Sequence, residues 1–117
     1  MAIIAVGCDH AGYQLKERLA AELRDLGHEV VDLGTDSTDR VDYPDFGAAV
    51  GRLVSCGDAS VGVAVCGSGV GIAIAANKVA GIRAATVHDV ESARLSKAHN
   101  DANVLCFGER VIDPEVA

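Results

Sequence analysis

A chain of 117 residues has room for a single hydrophobic core. Half of it is hydrophobic but only 3% is aromatic, so that core has to be assembled from Ala, Val, Ile and Leu, as in tightly layered α/β proteins. The net charge of −7 argues against nonspecific binding to nucleic acid or to an anionic membrane, while leaving open a small anionic ligand in a locally positive pocket.

No apolar run approaches 18 residues and no signal-peptide pattern opens the chain, which reads as cytoplasmic. The four cysteines, Cys8, Cys56, Cys66 and Cys106, show neither CxxC nor zinc spacing. In a reducing compartment three of them are expected to be inert packing residues.

Strands and helices alternate along the chain. Ala2 to Gly7 reads as a first strand, and a helix follows from about Gly12 to Leu26, with Leu15, Leu19, Leu23 and Leu26 on one face and Gly27 as its stop. Glu29 to Leu33 is a second strand and the polar stretch Gly34 to Asp42 a loop. Pro44 suits the first turn of a helix whose apolar face carries Phe46, Ala49, Val50, Leu53 and Val54. The run Val61-Gly62-Val63-Ala64-Val65-Cys66 is a buried third strand that passes into Gly67-Ser68-Gly69-Val70-Gly71, with a helix from Ile72 to about Lys78. Ile82 to Val87 is the fourth strand, Asp89 caps a short helix to about Ala98, and Asn103 to Phe107 is the fifth strand. Asp113-Pro114-Glu115 has the form of a helix start, followed only by Val116 and Ala117. The expected fold is α/β: a three-layer α/β/α arrangement on a Rossmann-like, five-stranded parallel sheet with right-handed crossovers. Ligands of such sheets bind beyond the carboxyl ends of the strands, which gathers Asp9, His10, Cys66, the glycine turn, His88 and residues 108–110 toward one edge.

The glycine turn after the third strand carries the most chemistry. Its backbone N–H groups are bare and stand at the positive end of a helix, so they offer an anion pocket beside the thiol of Cys66. A helix N-terminus favours the anionic form of a thiol placed there, and a thiolate can act as a base. The alternative is a tight strand-to-helix turn with a structural cysteine. The glycines do not match a dinucleotide fingerprint, since the third follows the second by two residues rather than three, and the Walker lysine is absent. Ser68 could be a nucleophile, but a G-x-S-x-G elbow would need glycine at 66, where cysteine stands.

Other residues carry two readings each. Asp9 is a helix cap or a participant in chemistry, and His10 a phosphate ligand or an exposed histidine. His99 is a helix C-cap or a proton carrier, and Asn100 can offer a donor and an acceptor to a sugar. Arg110 is a phosphate ligand or half of a surface ion pair, and Tyr43 a packing residue or a sugar-facing hydroxyl.

Taken together, Gly7-Cys8-Asp9-His10-Ala11-Gly12, Asp42-Tyr43-Pro44, Cys66-Gly67-Ser68-Gly69-Val70-Gly71, Ala75-Ala76-Asn77-Lys78, Gly81-Ile82-Arg83-Ala84, His99-Asn100-Asp101 and Phe107-Gly108-Glu109-Arg110 resemble the ribose-5-phosphate isomerase B family, which also holds allose and galactose phosphate isomerases. The resemblance implies an aldose–ketose isomerase of the pentose phosphate pathway that moves a proton through an enediolate. It makes Cys66 the base. Ile72 stands where some members place a glutamate, so this chain looks like the thiol-using branch. Ser68 corresponds to a hydroxyl that assists proton movement, and Gly67, Gly69 and Gly71 to the anion pocket. Asp9 and His99 resemble ring-opening residues, with Tyr43 and Asn100 nearby, while His10 and Arg110 match phosphate ligands. No cofactor and no metal is implied, because the N–H pocket serves as electrophile. The implied partners are a phosphorylated sugar and a second copy of the chain, as a homodimer or a dimer of dimers with shared sites. Longer members continue through a C-terminal helix with phosphate-binding arginines, so the chain, read as a single domain over 1–117, is expected to lack that helix. The alternatives are an isomerase of a six-carbon sugar phosphate and a sugar-phosphate-binding module without chemistry.

Overall fold

The structure, a computed structural model, describes residues 2–117. Its elements in chain order are β1 (Ile3–Cys8), a 3-10 turn (His10–Gly12), α1 (Tyr13–Asp25), β2 (Glu29–Asp32), α2 (Tyr43–Ser55), β3 (Val61–Cys66), α3 (Val70–Asn77), β4 (Ala84–Thr86), α4 (Val90–Asn100) and β5 (Val104–Gly108). All five strands pair in parallel, in the order β2-β1-β3-β5-β4. The three-layer α/β/α expectation therefore holds. No helix among the described residues is long and apolar enough to cross a membrane.

Alternation along the strands divides the core in two, because successive side chains point to opposite faces. Ala64, Cys66, Val104 and Cys106 face one layer, where they pack with Val50 and Val54 of α2 and Ile72 and Ala76 of α3. Val65, Phe107 and Cys8 face the other, against Leu15 and Leu19 of α1 and Ala93 of α4. The small side chains suit how closely the two helices of the first layer approach. A Cβ on Gly47 of α2 would lie 2.8 Å from the Ile72 carbonyl oxygen and 2.9 Å from the Ala75 Cβ of α3. Only a helix bare of a side chain at that point can lie so near its neighbour.

Several boundaries differ from the periodicity reading. A 3-10 turn precedes α1 because the Asp9 carboxylate caps it, accepting from Ala11 N at 3.0 Å and Gly12 N at 3.1 Å. Leu26 lies past the last turn of α1 and is exposed. β4 begins two residues later than Ile82. There the side chain of Asn103 accepts from Arg83 N (2.8 Å) and donates to the Gly81 carbonyl (3.0 Å), in place of strand pairing. Asn77 bonds both the N–H and the carbonyl of Ala84, at 2.8 and 3.0 Å. α4 runs on to Asn100 and ends with Asp101 in the left-handed region at φ 50°.

The strand order places a crevice between the carboxyl ends of β1 and β3, where the chain's winding reverses direction. The loops that follow those two strands are Asp9–Gly12 and Gly67–Gly69.

Candidate active site

Cys66 is the last residue of β3 and is buried. The chain then has to turn sharply into α3, and it does so at Gly69, whose φ of 79° lies in the left-handed region. This turn folds the Gly69 N–H back onto the sulfur, with N and Cys66 Sγ 3.1 Å apart. The turn is also pressed against the end of β5. A Cβ on Gly69 would lie 2.9 Å from Gly108 N, and one on Gly108 only 2.5 Å from the Ser68 carbonyl. Register pairs Cys66 with Gly108, so two bare backbones meet where the thiol is held.

The next donors in line are Val70 and Gly71, which open α3, where the first N–H groups have no intrahelical carbonyl to bond. Ser68 is exposed, and its Oγ accepts from Val70 N at 3.2 Å. Tyr43, at the start of α2, lays its ring on Gly71, with Cε1 2.8 Å from the point a Cβ there would occupy. Arg110 follows β5, and its N–H donates to the Gly67 carbonyl at 3.0 Å. Its side chain folds back over that glycine, Nη1 lying 3.2 Å from where a Cβ would stand, with Ala11 Cβ on the same side at 3.5 Å. A guanidinium therefore overlies the N–H turn and reaches toward the Asp9–Gly12 loop.

Asp9 is buried, and its Oδ1 is committed to capping the 3-10 turn, which leaves Oδ2 outside that cap. His10 Nδ1 lies 3.1 Å from the Val41 N–H. In the tautomer in which Nδ1 accepts that bond, Nε2 carries the ring proton and stays free of it. Cys66, Ser68, Gly67, Gly69, Gly71, Tyr43, Asp9, His10 and Arg110 thus share one edge of the sheet.

His99 and Asn100 do not join them within one chain. They end α4, just before β5 begins at the level of Gly62, and from there to Cys66 is four strand residues, roughly 13 Å. Both are exposed, and the Asn100 carbonyl accepts from Arg83 Nε at 2.5 Å.

The other thiols have different surroundings. Burial pushes Cys8 up to about 12, against the pull of nearby Lys16. Burial, with a smaller contribution from Cys66, pushes Cys106 up to about 12 as well. Both remain protonated at neutral pH. Cys56 is exposed at the end of α2, away from this edge. The Ile72 side chain is fully buried in the core, so no acid enters the site from that position.

The sequence reading passed over two contributors. Thr86, at the end of β4, donates from Oγ1 to the Gly69 carbonyl at 2.7 Å. Glu109 accepts from Leu15 N at 2.7 Å and so ties α1 to the loop that bears Arg110. A threonine in a strand and a glutamate in a loop are ordinary there, and nothing in their spacing marks them.

Fold and site define a class: a doubly wound α/β enzyme whose thiol and N–H turn lie at the β1/β3 crevice, under a guanidinium suited to an anionic substrate. The comparisons narrow it. The ribose/galactose isomerase family model matches residues 4–117, and the chain belongs to that family. It is 51% identical over 114 residues to ribose-5-phosphate isomerase B of Escherichia coli strain K12, covering 97% of this chain and 76% of that relative. It is 46% identical over 109 residues to a galactose-6-phosphate isomerase subunit of Clostridium acetobutylicum, covering 93% of this chain and 63% of that one. Among solved structures, Clostridium thermocellum ribose-5-phosphate isomerase B superposes with a TM-score of 0.96 at 49% identity, over 97% of this chain and 77% of that chain. The family read from the motifs is thus the family found.

Proposed function

We propose that this domain interconverts ribose 5-phosphate and ribulose 5-phosphate, with Cys66 as the base. The observation that carries the reading is the Gly69 N–H placed on the Cys66 sulfur, inside a turn that also presents the first N–H groups of α3. In the open-chain sugar, Cys66 Sγ takes the proton from the carbon beside the carbonyl and returns it to the neighbouring carbon. Negative charge builds on the carbonyl oxygen meanwhile, and donors already in place stabilise it without reorganising. The Gly69 N–H is spent on the sulfur, while the Gly71 N–H at the start of α3 and the Val70 N–H, once substrate displaces its contact with Ser68 Oγ, serve the oxygen. The Ser68 hydroxyl, beside Val70 N, is placed to pass the second proton between the two oxygens of the enediolate. Arg110 and His10 take the phosphate, and Tyr43 and Asp9 contact the sugar.

Ring opening needs an acid–base group, and the proposed one, His99, stands at the far end of the sheet. A second copy of the chain would bring its own His99 and Asn100 to the Cys66 edge, so the active form is a dimer with shared sites, working in the cytoplasm. The 46% identity to a galactose-6-phosphate isomerase subunit favours a six-carbon sugar phosphate as the second reading. Assays on ribose 5-phosphate, allose 6-phosphate and galactose 6-phosphate separate the two. Higher kcat/KM on ribose 5-phosphate supports the first, and turnover confined to a six-carbon substrate overturns it.

A further inference from the structure

We infer that Thr86 is a positioning residue for the anion pocket, acting through the carbonyl of Gly69. This rests on the isomerase reading for its consequence and on geometry for its substance.

Thr86 is the last residue of β4, an edge strand of three residues. It pairs in register with Cys106, so its side chain points to the layer that holds α3, just beneath the start of that helix. Two of its atoms engage Gly69. Oγ1 donates to the Gly69 carbonyl at 2.7 Å, and Cγ2 lies 2.8 Å from the point a Cβ on Gly69 would occupy. The same point lies 2.9 Å from the backbone of Phe107 and Gly108, so Thr86 and the end of β5 crowd Gly69 together. Gly69 therefore has one backbone group bonded at each end, its N–H to Cys66 Sγ and its carbonyl to Thr86 Oγ1.

The second bond matters because of peptide planarity. The carbonyl of Gly69 and the N–H of Val70 belong to one trans peptide, so they point in opposite directions and turn together. Holding the carbonyl toward β4 turns the Val70 N–H the other way, toward Ser68 Oγ and the open side of the site. Glycine has the freest backbone of any residue, so a peptide that follows it keeps its orientation only if something holds it. A hydrogen bond accepted by the carbonyl also polarises the amide and strengthens its N–H as a donor. Thr86 thus acts on the donor assigned to the developing oxyanion without touching substrate. Strand propensity does not require its hydroxyl, since valine would fill the same space.

The test compares Thr86→Val, which keeps the shape and removes the hydroxyl, with Thr86→Ser, which keeps the hydroxyl and loses the methyl. In the full chain, Thr86→Val should lower kcat about tenfold with KM within about twofold, less than the roughly 10²–10³ lost when an oxyanion donor is deleted outright. Thr86→Ser should restore most of the loss. Amide hydrogen exchange at Val70 gives a reading that needs no activity. It should speed up several-fold in Thr86→Val and return toward the parent rate in Thr86→Ser. Unchanged kcat and Val70 exchange in Thr86→Val would overturn the inference, as would a serine variant no better than valine or a loss confined to KM. A parent chain that turned over no sugar phosphate would overturn the isomerase reading, while Val70 exchange would still decide what Thr86 does.

Discussion

Three buried thiols share this small core, and they differ in what faces the sulfur. Cys106 lies within β5 and Cys8 ends β1, and burial holds both as thiols. Cys66 lies at the sheet's edge, where a backbone N–H reaches it. In the sequence all four cysteines sit in or after apolar stretches. What distinguished Cys66 was the glycine pattern after it, because three glycines at alternate positions announce backbone that has to come close to something. The contact of Gly69 with β5 and Thr86 was illegible, since it depends on which strands become neighbours. Replacing Cys66 with alanine should lower kcat by roughly 10²–10⁴, the usual contribution of a positioned general base, with little change in KM. Steady-state kinetics with a circular-dichroism check of folding measures this. Gly69→Ala should be nearly as damaging by another route. It needs a positive φ that alanine resists, and it drives a methyl group to within 2.9 Å of β5 backbone, so the donor is lost from the sulfur.

Among the elements, the α2–α3 contact and the thiols of the inner strands make the clearest predictions. Gly47→Ala puts a methyl group 2.8 Å from the Ile72 carbonyl oxygen, in a place lined by backbone and Ala75. Overpacking of this kind costs about 1–3 kcal/mol, more than the ~1 kcal/mol of helix propensity that alanine regains. Urea unfolding should show a net loss of stability. The thiols predict alkaline behaviour. Cys8 and Cys106 are shifted from 9.0 to about 12, so between those values the unfolded chain has released protons that the folded chain still holds. The unfolded state then binds fewer protons, and stability falls as pH rises through that window, by about 1.4 kcal/mol per pH unit for each thiol. Below pH 9 the contribution is fully present. Cys106→Ala should remove one thiol's share of the slope when unfolding free energies are measured across about pH 8 to 11. Helix and strand identities along the chain were legible from hydrophobic period and from the caps at Pro44 and Asp89. The start of β4 was not, because Asn77 and Asn103 use their side chains where a strand would use its backbone.

For the molecule as a whole, alternating strands and helices imply a parallel sheet, and the alternation was plain. Strand order was not, because nothing in the sequence says that β5 inserts between β3 and β4. The separation of His99 from Cys66 follows from parallel pairing itself: α4 leads into the start of β5, which puts its end at the amino edge of the sheet, while Cys66 ends β3 at the carboxyl edge, so the motifs that look like one site occupy two ends of one chain. The proposed sharing of sites between two copies makes a sharp prediction. Chains bearing Cys66→Ala and chains bearing His99→Ala should each be impaired alone. Mixed and allowed to exchange subunits, half of the dimers would be hybrids with one intact site of two, and activity should recover to about a quarter of the parent's. Absence of recovery would place both residues in one chain's site.

The most direct test of the central claim follows the proton itself. The parent chain and Cys66→Ala are incubated with ribose 5-phosphate in deuterated water and the products read by NMR. The account predicts ribulose 5-phosphate carrying solvent deuterium at the carbon that received the proton, formed by the parent and nearly absent with the alanine variant. A folded parent that forms no ketose, or an alanine variant within about tenfold of the parent, a difference of only ~1.4 kcal/mol, would contradict it.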